Sequence, residues 1–254
     1  MIEKTLDIRT KDGEMETFIC HPERNGPSPA VFFLMDASGV REELKDMAHR
    51  LGTVGYYVLL PNLYYRAGRD GPGVQQEGSA EHTRMRAVRT KMTIPPAMGD
   101  IGAMLAFADQ QNEVKKGAVG CNGYCMSGPY ALAAAARYPE RIAAAASFYE
   151  TWLVSEAEES PHLSLGKVKG ELYIACAEHD KLAPLPMVEE LRTLFARPGP
   201  PERSNCIPVS TTVSPSRNAG VTTRPPRSVT GSGGSHFIGG GLVRLSLNGL
   251  RPNR

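Results

Sequence analysis

Apolar runs alternate with amphipathic segments through most of this chain, and that order constrains its fold more than any other feature. Residues 29–35, Pro-Ala-Val-Phe-Phe-Leu-Met, form an unbroken apolar run, as expected of a strand covered on both faces. Residues 42–54 follow with apolar side chains at helical spacing, and residues 56–61 form a second buried run. Strand, helix and strand in that order indicate a parallel pair joined by a right-handed crossover.

The same alternation continues further along the chain. Two short strands, 5–9 and 14–20, are predicted around a turn at Lys11-Asp12-Gly13. Later strands are predicted at 116–121, 142–149 and 171–177, and later helices at 98–110, 129–138 and 186–195. The sequence therefore predicts an α/β fold with a doubly wound, mostly parallel sheet and helices on both faces.

The composition changes abruptly near Ala196. Residues 1–196 contain 21 Lys and Arg against 26 Asp and Glu, which gives a net charge of −5. Residues 197–254 contain eight Arg, no Lys and one acidic residue, which gives +7. Gly, Pro, Ser, Thr and Arg make up 38 of these 58 residues, a bias typical of flexible segments. We therefore expect one domain over 1–196 and an irregular, poorly ordered tail over 197–254.

Several classes of protein are excluded by the sequence. No stretch approaches the length of an apolar membrane span, and Glu3, Lys4, Asp7 and Arg9 stand where a signal peptide would be apolar. The five cysteines are odd in number and widely spaced, which argues against a disulfide framework. We expect a soluble cytoplasmic protein with no cofactor. The Cys-x-x-x-Cys pair ending at Cys125 has no second ligand pair at usable spacing, so no metal site is predicted.

Chemistry concentrates where Gly123-Tyr-Cys-Met-Ser-Gly128 joins a predicted strand to an alanine-rich helix. Small residues two positions before and after a nucleophile let the backbone fold sharply between a strand and a helix. Gly123 and Ser127 hold those positions around Cys125. A thiolate there would be stabilised by the helix dipole, with the N–H of Met126 aimed at a developing oxyanion. The alternative is a buried structural cysteine on a turn.

With these residues the chain resembles the dienelactone hydrolase family, α/β hydrolases with a cysteine nucleophile. The resemblance covers about residues 1–196 and is carried by three runs: 123–139, Leu34-Met-Asp-Ala-Ser-Gly-Val-Arg-Glu-Glu-Leu44 and Leu60-Pro-Asn-Leu-Tyr64. It implies an α/β-hydrolase-type sheet and cleavage of an ester or lactone through a cysteine acyl-enzyme, as in carboxymethylenebutenolidases. The implied partner is a small-molecule substrate, with no nucleic acid or membrane involved.

The resemblance also assigns roles to residues around the nucleophile. Cys125 would attack the carbonyl, and the backbone N–H groups of Met126 and Ala37 would stabilise the oxyanion. Asp36 falls where family members carry an acid, often Glu, that regulates protonation of the thiol. The alternative for Asp36 is a cap on the following turn or helix.

A triad needs an acid after a later strand, and in the family pattern this is Asp180, which orients the catalytic histidine. The neighbouring His179 would point away from Asp180, and we interpret it as a solvated loop residue. Three arginines precede a predicted helix where the family binds substrate carboxylates, although a solvated run of charge is an equal alternative. They are Arg84, Arg86 and Arg89.

The family's histidine is missing from its expected place. It belongs to a segment resembling Tyr-Pro-Gly-x-His-His-Gly-Phe, whereas residues 205–214 contain no histidine and His236 alone lies downstream. Read out of frame with permitted codons, 205–217 gives Glu-Leu-Tyr-Pro-Gly-Val-His-His-Gly-Phe-Ala-Phe-Pro. Residues 222–231 similarly give Tyr-Asp-Lys-Ala-Ala-Ala-Glu-Arg-His-Trp, which resembles the family's final helix. Our hypothesis is a frameshift near Ala196, in the gene or in its sequencing, that places the base's position at Thr212.

If the tail is translated as written, the chain keeps its nucleophile, acid and oxyanion hole but lacks the base, and we predict weak or no turnover. His236 would replace the base only if the tail folded back. Two alternatives remain open. The basic tail could bind nucleic acid or membrane on an inactive fold, although its arginines are spread singly without aromatic neighbours. The same elbow could also serve a thioesterase or another acyl transferase.

Overall fold

Seven strands form one mixed sheet in the computed structural model, which describes residues 1–68, 78–149, 153–176, 184–196, 236–238 and 241–243. In chain order the strands are β1 (Ile2–Thr10), β2 (Gly13–His21), β3 (Ala30–Leu34), β4 (Tyr57–Pro61), β5 (Val119–Tyr124), β6 (Ile142–Phe148) and β7 (Glu171–Ala175). Their order across the sheet is β1-β2-β4-β3-β5-β6-β7. β2 pairs antiparallel with β1 and with β4. The remaining neighbours, β4-β3, β3-β5, β5-β6 and β6-β7, pair parallel.

Burial along the strands follows from what covers each one. Every residue of β3 and β4 is buried, which matches their unbroken apolar sequences. β1 lies at the edge of the sheet, and its exposed residues alternate with more buried ones over much of its length. The apolar runs therefore mark the middle of the sheet, and the β1–β2 hairpin extends it on one side.

Among the described residues, five α-helices connect or flank the strands. They are α1 (Glu42–Thr53), α2 (Ala80–Arg89), α3 (Ile94–Gln110), α4 (Gly128–Arg137) and α5 (Leu185–Ala196). α1 leads from β3 back to β4, whereas α3 precedes β5, on the other side of β3. Right-handed crossovers in opposite directions place α1 and α3 on opposite faces of the sheet. The predicted doubly wound α/β class, of the α/β-hydrolase type, is therefore confirmed.

The packing of α4 on β6 uses small side chains. Ala131, Ala134 and Ala135 of α4 are completely buried and share one apolar cluster with Ala144 and Ala145 of β6. Methyl groups keep a helix close to a sheet and have no rotamers to lose on burial. The helix that begins just after Cys125 is therefore held tightly against the strand beside it.

The structure differs from the prediction in several places, and β5, for example, begins and ends three residues later than predicted. α3 begins at Ile94, one turn before the predicted start, because two prolines occupy its first turn, where they displace no helical hydrogen bond. The segment read as a run of charge forms α2, whose first turn is capped by the Ser79 hydroxyl accepting the His82 N–H at 3.0 Å. Within the tail, His236–Ile238 (β8) and Gly241–Val243 (β9) pair as a short antiparallel ladder.

Candidate active site

The backbone bends sharply at Cys125. β5 ends at Tyr124, a 3-10 turn spans Cys125–Ser127, and α4 begins at Gly128. Cys125 has a φ of +54°, in the left-handed region that residues other than glycine rarely adopt. Such strain costs of order 1–3 kcal/mol and is concentrated at active sites. The half-buried thiol thus lies on a strand, tight turn and helix, the arrangement of a nucleophile elbow.

Gly123 is required by the way this bend folds back on itself. A Cβ atom at Gly123 would lie 2.1 Å from the backbone O of Ser127, 2.5 Å from its carbonyl carbon and 2.9 Å from the N of Gly128. All three are backbone atoms at the start of α4, so no side chain can rotate to relieve the overlap. The close approach explains why a residue without a side chain precedes Cys125 by two positions.

Ser127 has a function in the bend beyond its small size. Its fully buried hydroxyl accepts the Tyr124 N–H at 2.9 Å. The same oxygen lies 3.3 Å from the carbonyl O of Leu34, to which it can donate. Ser127 therefore ties the elbow to the end of β3, immediately before the loop that carries Asp36 and Ala37.

The two residues predicted to form the oxyanion hole lie at the same edge of the sheet. Leu34 of β3 pairs with Gly123 of β5, and Ala37 and Met126 each follow three residues later. The Tyr64 hydroxyl lies between them, 3.0 Å from the Ala37 carbonyl O and 3.1 Å from the Met126 Sδ. Parallel strands bring their carboxyl ends together, and here that edge carries Ala37, Tyr64 and Met126.

Tyr64 is a site residue that the sequence did not single out. Burial raises the pKa of Tyr64 above its ordinary value, Arg89 lowers it, and Tyr130, Asp36 and Cys125 raise it. The phenol therefore stays protonated and can donate. Arg89, Asp36 and Cys125 therefore all act electrostatically on this hydroxyl.

Asp36 is held by a bidentate ion pair. Arg41 donates from Nη1 to Oδ1 at 2.7 Å and from Nη2 to Oδ2 at 2.9 Å. The Ser38 N–H also donates to Oδ1 of Asp36 at 2.9 Å, so the carboxylate caps its own turn. The turn-capping contact considered for Asp36 is therefore present, whereas no pattern in the sequence identifies Arg41 as its partner. A role in protonating the thiol stays a prediction.

The three arginines considered as carboxylate ligands lie on α2, which precedes α3, the helix predicted at 98–110. Arg84 and Arg86 are exposed, whereas Arg89 is half-buried in the last turn. Arg89 also acts electrostatically on the hydroxyls of Tyr64 and Tyr130. Of the three, Arg89 is therefore the strongest candidate for a role near Tyr64.

Several predicted residues lie outside the described part of the chain. Asp180 and His179 follow β7 in the undescribed range 177–183, and Thr212 lies within 197–235. His236 begins β8. Within the described ranges, no three His, Cys, Asp or Glu side chains are grouped as metal ligands. No helix among the residues with described placement is long and apolar enough to cross a membrane.

Comparison with known proteins gives consistent results. The model of the dienelactone hydrolase family matches residues 15–205. A putative carboxymethylenebutenolidase of Methylorubrum extorquens is 29% identical over 141 residues, which are 55% of this chain and 46% of that protein. This chain thus spans less than half the length of that relative. A putative carboxymethylenebutenolidase of Synechocystis is 25% identical over 205 residues, which are 76% of this chain and 81% of that protein.

Solved structures show the same fold. A putative dienelactone hydrolase from Klebsiella pneumoniae superposes with a TM-score of 0.67 at 20% identity, covering 81% of this chain and 82% of its own. A dienelactone hydrolase-like promiscuous phosphotriesterase from metagenomic libraries gives a TM-score of 0.62 at 18% identity, over 82% and 80% of the two chains. At these identities the structures support the architecture alone.

Proposed function

This chain belongs to the dienelactone hydrolase family, and from that premise we propose that it cleaves an ester or lactone through a covalent acyl-enzyme on Cys125. The observation that carries the proposal is the left-handed backbone of Cys125 between β5 and α4. A buried structural cysteine has no need of this strain, whereas a nucleophile at an elbow requires it.

The chemistry would proceed in two steps. The Cys125 thiolate attacks the carbonyl carbon, a C–S bond forms, and the N–H groups of Met126 and Ala37 stabilise the oxyanion. The C–O bond to the leaving group then breaks, and the leaving oxygen takes a proton from water. In the second step water attacks the thioester, the C–S bond breaks, and the acid product leaves with the thiol regenerated.

Removal of the acyl group is the step that this chain should perform poorly. We assign Asp180 as the acid that orients a histidine, and the family's histidine position falls at Thr212 in this sequence. A thiolate can be acylated without the help of a base, whereas activation of water for the second step depends on a base. The chain as written should therefore stop at the thioester.

The test is a burst experiment with p-nitrophenyl acetate. We expect release of about one nitrophenolate per protein chain, slow turnover afterwards, and an intact mass increased by one acetyl group. Cys125→Ala should abolish both signals. Cys121→Ala is the matched control, because Cys121 lies on β5 four residues before Cys125 and burial raises the pKa of its thiol. Acetylation that survives in Cys125→Ala would refute the assignment.

The origin of the missing base has its own test. The DNA should be read across the codons for 195–198 from an independent template. If one base is missing or extra, the chain with the corrected frame should regain turnover by several orders of magnitude, with Cys125 still required. If the frame stands as written, the chain is a family member with impaired turnover.

We also propose that Arg89 pairs with an acidic group on the substrate. Arg89 acts electrostatically on the Tyr64 hydroxyl, which contacts Met126, the residue after Cys125, and Arg forms bidentate pairs with carboxylates. Arg89→Gln should slow acylation of Cys125 by a carboxylate-bearing ester and leave a neutral ester unaffected. Arg84→Gln, an exposed arginine on the same helix, is the matched control. Equal effects on both esters would contradict this role.

A further inference from the structure

The segment Tyr64-Tyr65-Arg66 makes contacts in two directions. On one side the Tyr64 hydroxyl meets the Ala37 carbonyl and the Met126 sulfur, which belong to loops after two different strands. Tyr64 is almost completely buried, so solvent does not replace these contacts. The hydroxyl therefore spans the gap between the two residues assigned to the oxyanion hole.

On the other side the segment is anchored to Asp100, a fully buried carboxylate on α3. Arg66 donates from Nη1 to Oδ2 and from Nη2 to Oδ1 of Asp100, each at 2.8 Å. The Tyr65 hydroxyl donates to Oδ1 at 2.9 Å. Arg66 also donates to Asp12 at the β1–β2 turn, from Nε at 2.9 Å and from Nη2 at 2.7 Å.

A buried carboxylate needs this number of donors, because an unpaired charge in the interior is strongly unfavourable. The geometry of Arg66 and Tyr65 is consequently fixed by Asp100. Since Tyr64 directly precedes them at the start of the 3-10 turn Tyr65–Ala67, its ring enters the site from a fixed position.

We propose that Tyr64 is a positioning residue for the oxyanion hole and that the Arg66–Asp100 pair holds it in place. The inference rests on the proposed function and deepens it. An oxyanion hole works only when its two N–H donors keep a set separation, and misplacement by about 1 Å can cost 100-fold in rate. The Tyr64 hydroxyl maintains that separation by contacting a backbone atom of one donor residue and the side chain of the other.

The test compares two reactions of Cys125 in Tyr64→Phe. Acylation by p-nitrophenyl acetate forms an oxyanion, whereas alkylation by iodoacetamide requires the thiolate and forms none. We expect acylation to slow by about tenfold or more, with the alkylation rate and its pH profile unchanged. Equal slowing of both reactions would overturn the proposal, because Tyr64 would then act on the thiol or on folding.

Tyr138→Phe is the matched control. The Tyr138 hydroxyl also donates to a backbone carbonyl, that of Met98 at 2.7 Å, but it lies at the far end of α4, about 15 Å of helix away. We expect it to leave both rates unchanged. Slower acylation in this variant as well would indicate a general packing effect and would overturn the proposal.

A second measurement does not depend on ester chemistry. In Tyr64→Phe, the amide NMR signals of Ala37 and Met126 should both shift, whereas in Tyr138→Phe neither should. Unmoved signals would overturn the positioning role. Failure of the proposed function is recognised separately, because wild-type protein would then react with iodoacetamide but not with the ester.

Discussion

Substitution of Gly123 by alanine should destabilise the protein severely. The added Cβ would meet backbone atoms of Ser127 and Gly128 at 2.1–2.9 Å, well inside van der Waals contact. β5 cannot move aside, because Gly123 pairs with Leu34 on one neighbouring strand and with Ser147 on the other. Overpacking of side chains costs about 1–3 kcal/mol, and with rigid backbone on both sides we expect about 3 kcal/mol or more.

Gly99→Ala provides the matched control. Gly99 lies within α3, and a Cβ there would approach one flexible atom, Lys11 Cε, at an ordinary 3.7 Å. Alanine favours a helix interior by up to about 1 kcal/mol over glycine, so this variant should be slightly more stable than wild type.

Urea unfolding followed by circular dichroism would measure the unfolding free energy of both variants. In thermal unfolding, Gly123→Ala should lower the melting temperature by roughly 6–12 °C. A change in unfolding free energy of less than about 1 kcal/mol for Gly123→Ala would show that the bend can relax. The close approach between Gly123 and Ser127 would then not define the elbow. Iodoacetamide reactivity of Cys125 gives a second readout, since an opened bend would also move the thiol.

Three further predictions concern residues away from the elbow. Asp100→Ala should lower the unfolding free energy by about 1–3 kcal/mol in urea, because Arg66 loses its fully buried partner but keeps its contacts to Asp12. The hydrogen bond from Arg66 lowers the pKa of Asp12 from its ordinary 3.8, so this pair stabilises the fold above that pH and loses its effect as the pH falls through the lowered pKa. Melting temperatures of wild type and Asp12→Asn should therefore differ at neutral pH and converge as the pH falls through the lowered pKa of Asp12. Tyr57→Phe should raise the unfolding free energy by about 1 kcal/mol, since the buried Tyr57 hydroxyl has no hydrogen-bond partner among the described residues, and a loss of stability on thermal melting would contradict this.

Local patterns in the sequence were sufficient for the sheet and the elbow. β3 and β4 are unbroken apolar runs, and the small residues around Cys125 reflect a steric requirement within six residues of chain. Each of these signals lies within one short segment, so it can be recognised without knowing which other segments pack against it. The predicted bounds of β3 and β4 accordingly agree with the observed ones to within one residue, whereas β5 begins and ends three residues later than predicted.

Contacts between distant segments left no comparable signal. Tyr64 meets Met126 across 62 residues of sequence, and Arg66 meets Asp100 across 34. A single tyrosine or aspartate has no periodicity that reveals such a partner. In the sequence Tyr64 stands out only as the last residue of Leu60-Pro-Asn-Leu-Tyr64, one of the runs that resemble the family. The start of α3 was predicted one turn too late. Proline breaks a helix interior but is tolerated in the first turn, where the two prolines of α3 lie.

The alanine packing between α4 and β6 limits how this protein can diversify. At Ala131, Ala134 and Ala135 any larger side chain would push the helix away from the strand and move Cys125 with it. A library of all single substitutions should therefore show these positions to be as intolerant as the nucleophile itself, although none of them touches a substrate. New substrate preferences would have to arise in the loops beyond the strand ends, which can vary without disturbing this interface.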